Sequence, residues 1–195
     1  MGHLIKHSIL CLIVAALTSK FPDIDQVLAF LRHRSFLSHS ALLPLILLMS
    51  LKPQFQWVTI GVSMAIGSHL VFDMYPRGWG SYSQIYILGY GYTGEIFSWI
   101  WMFVNMLLCL KIIAKFSKNL AEKTVTTVLL SCVFLFQSLW ENRILFPVIT
   151  WIFVVTIVFF REEVFSGIKQ HGTPTSKWLE QKLEKSLSKN PPSDE

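Results

Sequence analysis

Six apolar runs constrain the fold of this 195-residue chain more than any other feature. They lie at about residues 4–19, 36–51, 55–72, 96–114, 125–140 and 144–160. The fourth and sixth are long enough to cross a bilayer, which takes roughly 17–25 helical residues, and the third and fifth are near that lower limit. The first two are shorter, as tilted or partly embedded helices would be. Backbone polar groups inside a membrane must bond within their own segment, so the runs predict helices.

The composition agrees with a membrane protein, since only 15% of the residues are charged, against roughly 25% in soluble domains. We therefore expect an all-α, polytopic membrane helical bundle of about four to six helices over residues 1–168. Residues 169–195 are expected to be a cytoplasmic tail. Leu179, Leu183 and Leu187 form a stripe among lysines there, which predicts an amphipathic interfacial helix. A frayed or disordered tail is the alternative.

The positive charge is distributed as a membrane protein would place it. The net charge is +5, yet the lysines cluster in segments that six helices with a cytoplasmic N-terminus would leave inside the cell. We therefore expect no nucleic-acid partner. The first run has Lys6 in front of it but no small-residue cleavage signal after it, so we expect it to be retained rather than removed as a signal peptide. Cys11, Cys109 and Cys132 lie in apolar runs and are expected to be small buried hydrophobes.

Three short polar stretches abut the apolar runs and contain metal-ligand residue types. Ionisable groups at a membrane are expensive to keep, so they are candidates for a functional site. The stretches are Pro22-Asp23-Ile24-Asp25, His33-Arg34-Ser35-Phe36-Leu37-Ser38-His39-Ser40 and His69-Leu70-Val71-Phe72-Asp73.

The two carboxylate-bearing stretches each have a simple alternative explanation. His69 and Asp73 are four residues apart and share one helix face, so they can clamp a metal ion or form a buried hydrogen bond. Asp23 and Asp25 are expected in an extended segment, where side chains two apart point the same way. Two such carboxylates either enclose a cation or remain solvated at a helix end.

The histidine-rich stretch adds nitrogen ligands and a cation. Neutral imidazoles of His33 and His39 are common ligands of zinc and other divalent metals. Arg34 between them can hold phosphate or carboxylate through two parallel hydrogen bonds. Ser38 and Ser40 can orient ligands or cap a helix.

The helix order brings the three stretches to one membrane face, at loops and helix ends. Mixed histidine and aspartate ligation, with room for one or two ions, suits hydrolysis by metal-activated water. Zinc is the first choice, and manganese or magnesium are alternatives. His3 and His7 begin the first helix, and a straight helix would place His7 roughly 20 Å from the acids. Either that helix is bent or these two histidines are not ligands.

In these residues the chain resembles the LexA-regulated, membrane-bound, metal-dependent hydrolases of bacteria. The shared pattern is Pro-Asp-x-Asp, then His-Arg followed by Ser-His-Ser, then Ser-His-x-x-x-Asp, within about residues 3–76. The hydrolase form usually separates its two motif histidines by one residue fewer than His33 and His39 are separated here. The resemblance implies a bacterial inner-membrane protein with a metal site at Asp23, Asp25, His33, His39, His69 and Asp73.

We therefore expect a membrane hydrolase acting on an ester or phosphoester of a lipid or lipid-linked substrate, with its site at the outer face. Asp25, His33, His39, His69 and Asp73 are the expected metal ligands. Asp23 is expected as a ligand or general base, and Arg34 as the clamp for an anionic oxygen. The alternatives are a transporter and a non-catalytic protein with a structural metal. Membrane lipids are the expected partners, and the sequence leaves the oligomeric state open.

Overall fold

A computed structural model of the protein describes residues 2–28, 31–75, 84–139 and 145–172. The expected all-α helical bundle is confirmed. The described chain forms six α-helices: α1 (Gly2–Thr18), α2 (Leu42–Ser50), α3 (Gln56–Asp73), α4 (Glu95–Lys115), α5 (Leu120–Ser138) and α6 (Leu145–Gly172). Two 3₁₀ helices, Pro22–Gln26 and Pro53–Phe55, follow α1 and precede α3. Strands β1 (Tyr86–Ile87) and β2 (Gly91–Tyr92) form an antiparallel hairpin before α4.

Helix α3 lies at the centre of the bundle and contacts α1, α2, α4 and α5. Most of its residues from Thr59 onward are buried. Gly61 allows α1 to approach closely, because a Cβ atom there would lie 2.7 Å from the carbonyl oxygen of Cys11. A larger residue would force the two helices apart, so the glycine fixes the position of α1 against α3.

Four helical segments of the described chain are long and apolar enough to cross a membrane: Lys6–Gln26, Pro53–Asp73, Glu95–Lys115 and Leu120–Ser138. Helix α2 has 9 residues and rises only about 14 Å, so it does not cross as a helix. Exposed apolar side chains recur at helical spacing on α1, at Ile9, Ile13 and Leu17. A surface of this kind is suited to lipid. Cys11 and Cys109 are buried as expected, whereas the expectation was wrong for Cys132, which is exposed.

The chain divides into two units, residues 1–159 and 160–195. The division falls within α6, at Phe160, whose φ of −119° and ψ of 16° are not helical. The described part of the second unit is helical to Gly172, so the expected boundary between residues 168 and 169 lies inside this helix. The predicted interfacial helix of the tail lies outside the described residues.

Candidate metal centre

The end of α3, the first 3₁₀ helix and the loop that precedes α2 meet at one end of the bundle. Asp23 comes from the 3₁₀ helix, His39 from the loop, and His69 and Asp73 from the last turns of α3. One ligand atom each of Asp23, His39 and His69 lies within 4.8 Å of the others, so these three residues can hold a metal ion.

The separations of the converging atoms match those around a metal ion. His39 Nε2 lies 2.9 Å and His69 Nε2 lies 3.3 Å from Asp73 Oδ2. His69 Nε2 lies 3.8 Å from Asp23 Oδ1. Ligands bonded at about 2.0–2.1 Å to a tetrahedral zinc ion lie roughly 3.3 Å apart.

Both histidine nitrogens at this point are buried, and neither has a hydrogen-bond partner among the described residues. The contact between His39 Nε2 and Asp73 Oδ2, at 2.9 Å, is the shortest within this group of atoms. Buried polar nitrogens are rarely left without a partner. Their convergence on carboxylate oxygens therefore fits the chemistry of a metal ligand set better than that of a hydrogen-bonded core.

His39 is fully buried and is held by contacts to its side chain and to its backbone. Its Nδ1 lies 3.2 Å from Asp25 Oδ2, and its backbone carbonyl accepts a hydrogen bond of 3.1 Å from Trp101 Nε1. Burial opposes a charged imidazole, but the carboxylates of Asp25 and Asp73 outweigh it and raise the pKa of His39 from 6.5 to about 9. In the metal-free site His39 is therefore protonated at neutral pH, and a metal ion that binds there would have to displace this proton.

Asp25, expected as a ligand, faces the remote nitrogen of His39 rather than the converging atoms. Its Oδ2 accepts hydrogen bonds from Ser35 N at 2.8 Å and from Ser38 Oγ at 2.7 Å. This is the arrangement in which a carboxylate orients a metal-binding histidine from behind. The expectation of an extended segment was wrong, because Pro22–Gln26 is a 3₁₀ helix. Its tighter winding turns Asp23 and Asp25 to different sides, which places Asp23 instead at the cluster.

His33 is the expected ligand that lies furthest from the cluster. Its Nδ1 is 3.8 Å from Asp25 Oδ1, and its side chain is 48% exposed. Its ring lies edge-on to that of His39 at 6.3 Å between centroids, and it is not among the described residues whose ligand atoms converge. The longer spacing between His33 and His39 is consistent with only the second histidine reaching the centre.

Arg34 has a left-handed backbone, with φ of 59°, which is uncommon for a residue other than glycine. His33 and Arg34 form a turn before Ser35. Arg34 Nε lies 3.5 Å from Asp73 Oδ1. Strained backbone at such a position is a frequent property of functional sites.

The loop is held by strand β1 through one parallel bridge between Ser35 and Tyr86. Tyr86 N donates to Arg34 O at 2.9 Å, and Phe36 N donates to Tyr86 O at 2.8 Å. The described segment of residues 84–94 therefore supports the histidine stretch. Residues 76–83 lie outside the described chain.

Three supporting residues on α4 and α5 do not emerge from the motif pattern. Trp101 holds the His39 carbonyl and stacks on Phe36 at 3.8 Å between ring centroids. Asn105 Oδ1 accepts from Ala41 N at 2.8 Å, and Gln137 Nε2 donates to Ala65 O at 3.0 Å. The available signal was that Asn105 and Gln137 are isolated amides in apolar runs, where polar side chains usually bond between helices.

His7 does not belong to this centre. It lines two cavities at the other end of the bundle, of about 160 and 370 Å³, together with Cys11, Ile60 and Phe116. The side chain of His3 lies outside the described residues.

Comparisons of the chain with family models, with curated proteins and with solved structures find no match. The arrangement of the site therefore carries the functional inference.

Proposed function

We propose that the protein is an integral membrane, metal-dependent hydrolase that cleaves an ester or phosphoester bond of a lipid or lipid-linked substrate. The observation that carries the proposal is the convergence of ligand atoms from Asp23, His39 and His69 within 4.8 Å, next to the Asp73 carboxylate. Two imidazoles and two carboxylates suit zinc, with manganese and magnesium as alternatives. A divalent metal held there would supply Lewis acidity that polarises the scissile bond and lowers the pKa of water.

The four residues are not equally enclosed, which suggests different roles. His39 is fully buried, and His69 and Asp73 are largely buried. The Asp23 side chain is 24% exposed and is the most open of the set. We assign His39, His69 and Asp73 to metal binding and Asp23 to a fourth ligand or general base at the open side.

Arg34 is the candidate for binding the anionic part of the substrate. Its guanidinium lies beside the ligand Asp73 and is only 16% exposed. A guanidinium offers two parallel donors to a phosphate or carboxylate. Its position beside the ligand set suits charge that develops on an oxygen during hydrolysis.

The depth of the centre favours a lipid substrate. Asp23 and Asp73 lie at the ends of two candidate membrane spans, Lys6–Gln26 and Pro53–Asp73. Helix ends lie near the headgroups, where the ester and phosphoester bonds of lipids are located. The lysine distribution favours an orientation with the site at the outer face. The bacterial inner membrane is what the resemblance to the membrane-bound hydrolases implies.

The test is metal binding followed by turnover. The full chain is stripped with a chelator, reconstituted in lipid vesicles, and exposed to zinc, manganese or magnesium, after which bound metal is measured by elemental analysis. Hydrolysis is then followed with a lipid phosphoester and a carboxylic ester. The wild type is expected to retain metal and hydrolyse one of them, whereas His69→Ala loses both properties. If the wild type retains no divalent metal, the proposal fails.

A structural metal without catalysis is the second candidate, favoured by the complete burial of His39. Structural sites have closed coordination, whereas catalytic sites keep one open position. Arg34→Ala separates the two functions, because Arg34 holds substrate rather than metal in our proposal. A hydrolase is expected to keep its metal and lose turnover in this variant. If metal is bound but neither wild type nor variant hydrolyses either ester class, the structural function is favoured.

A further inference from the structure

The β-hairpin beside the metal centre ends in a tight turn that needs glycine. Tyr86 pairs with Tyr92 and Ile87 with Gly91, and Tyr90 N donates to Ile87 O at 3.0 Å across the turn. Gly89 and Gly91 have φ of 83° and 102°, which side chains rarely adopt. The turn therefore holds Leu88 and Tyr90 in fixed positions at the hairpin tip.

The hairpin tip is apolar and exposed. Leu88 is 66% exposed, Tyr90 79% and Tyr92 49%. The segment from Ile85 to Gly94 contains no charged residue. A turn that faces water is usually built from polar residues, so this tip is suited to a different environment.

The base of the hairpin carries a cation. The guanidinium of Arg32 lies over the Tyr86 ring, 5.7 Å from its centroid. Arg32 is exposed, so an anion can reach its guanidinium. The hairpin thus has an apolar tip and a positively charged residue at its base, with tyrosine rings between them.

The hairpin continues directly into a candidate membrane span. Helix α4 begins three residues after β2, and Ile96 and Ile100 in its first turns are exposed. Thr93 joins the two elements, because its N donates to Ile85 O at 2.9 Å and its hydroxyl contacts Ser98 Oγ at 2.7 Å. The apolar surface of the tip is therefore adjacent to a surface suited to lipid.

We propose that the hairpin tip, Leu88–Tyr90, is a membrane-interface anchor that inserts into the lipid headgroup region while Arg32 binds a lipid phosphate at its base. Leu88 is two residues beyond Tyr86, which spans up to about 7 Å of extended chain. This length matches the roughly 5–10 Å depth to which interfacial segments enter a bilayer. Tyrosine is enriched at this level because its ring is apolar and its hydroxyl remains near water. The partner is the bilayer itself, with anionic lipids preferred.

The anchor has a consequence for the neighbouring loop. Strand β1 is hydrogen-bonded to the backbone of Arg34 and Phe36. An anchored tip would therefore also fix the distance of the histidine stretch from the membrane surface. The proposal does not depend on hydrolysis or on a bound metal. The anchor can therefore be disproved while the proposed function stands, and the proposed function can be disproved while the anchor stands.

The test is the depth of a fluorophore at the tip. Cys132→Ser removes the exposed thiol and leaves Cys11 and Cys109, which are buried. An environment-sensitive label is attached to Leu88→Cys or Tyr90→Cys in this background, and to Lys118→Cys as a control. Lys118 is exposed in the short polar turn between α4 and α5. The proteins are reconstituted in vesicles of phosphatidylcholine alone or with a third phosphatidylglycerol.

With iodide on both sides of the vesicle membrane, we expect blue-shifted emission at Leu88 and Tyr90, strong quenching by spin-labelled lipid, and iodide quenching several-fold weaker than at Lys118. Phosphatidylglycerol should strengthen the lipid quenching at the tip, and Arg32→Gln should remove that strengthening. If iodide quenches the tip labels as well as it quenches Lys118, the anchor is excluded. If Arg32→Gln leaves the effect of phosphatidylglycerol unchanged, the assignment of Arg32 to a lipid phosphate is overturned.

Discussion

The two ends of the bundle contain similar residues in different arrangements. At one end, His39 and His69 meet Asp23 and Asp73 within distances typical of metal ligands. At the other end, about 18 Å along α3 from His69 to Trp57, His7 shares an open cavity with Glu122.

The difference lies in what else each carboxylate bonds. Glu122 Oε2 accepts from Lys118 N at 2.7 Å, and Asn119 Oδ1 accepts from Glu122 N at 2.8 Å. These bonds cap the first turn of α5, so the glutamate serves the backbone. At the metal centre, Asp25 likewise accepts hydrogen bonds from the loop, from Ser35 N and Ser38 Oγ. Asp25 lies on the Nδ1 side of His39, and the Nε2 of His39 points toward Asp73. A histidine near an acid can therefore form a metal site only where the side chains are not already bonded to the local backbone, as Glu122 is.

The largest expected contrast is in stability. His39→Ala in the metal-free protein leaves Asp25 and Asp73 without the imidazole between them, and removing one partner of a buried ion pair costs about 3–5 kcal/mol. His7→Ala at the other end should cost less than about 1 kcal/mol. Equilibrium unfolding in mixed micelles measures both. An equal loss of unfolding free energy in the two variants would show that the two ends of the bundle do not differ in this way.

The pH dependence of the metal-free protein follows from the same imidazole. The pKa of His39 is raised from 6.5 to about 9 in the fold, so its contribution is complete below about pH 6.5 and is lost as the pH rises through about 9. The free energy of unfolding should fall over this window by up to about 3 kcal/mol. Metal affinity should change in the opposite direction, because a metal competes with the proton. Unfolding curves at several pH values test this, and a His39→Gln variant that keeps the same dependence would contradict it.

A smaller effect is expected from the carboxylate behind His39. Asp25→Asn removes the negative charge that orients the imidazole, and loss of such a partner lowers metal affinity by about 10–100-fold. Glu122→Gln is the matched control, since it also changes a carboxylate that accepts a backbone N–H. Titration calorimetry with zinc compares the two variants. Complete loss of metal in Asp25→Asn would instead favour direct ligation by Asp25.

The sequence predicts the helices well because an apolar run marks a segment that is buried either in lipid or in the protein core. Helix α4, Glu95–Lys115, coincides with the fourth apolar run at about residues 96–114. The i, i+4 spacing of His69 and Asp73 suffices to place both at one corner of the site. These are local properties, fixed by helix geometry alone.

The orientation of the loop ligands could not be predicted, because partners distant in sequence determine it. Asp25 is captured by Ser35 and Ser38, ten and thirteen residues away, and this capture accompanies the 3₁₀ helix that turns Asp23 the other way. The support from Trp101 and Asn105 spans more than sixty residues. No pattern within a single stretch carries such information.

The smallest expected effect concerns the backbone of Arg34, the one described residue other than glycine with a positive φ. A left-handed conformation costs a residue with a Cβ roughly 1–2 kcal/mol, whereas glycine adopts it freely but loses more entropy on folding. Arg34→Gly should therefore be more stable than Arg34→Ala by about 0.5–1 kcal/mol. Both variants lack the guanidinium beside Asp73, so their difference isolates the backbone. At Arg32, which has no positive φ, the order of the two substitutions should reverse. The same order at both positions would show that the loop does not hold Arg34 in this conformation, and the link between backbone strain and the metal centre would be lost.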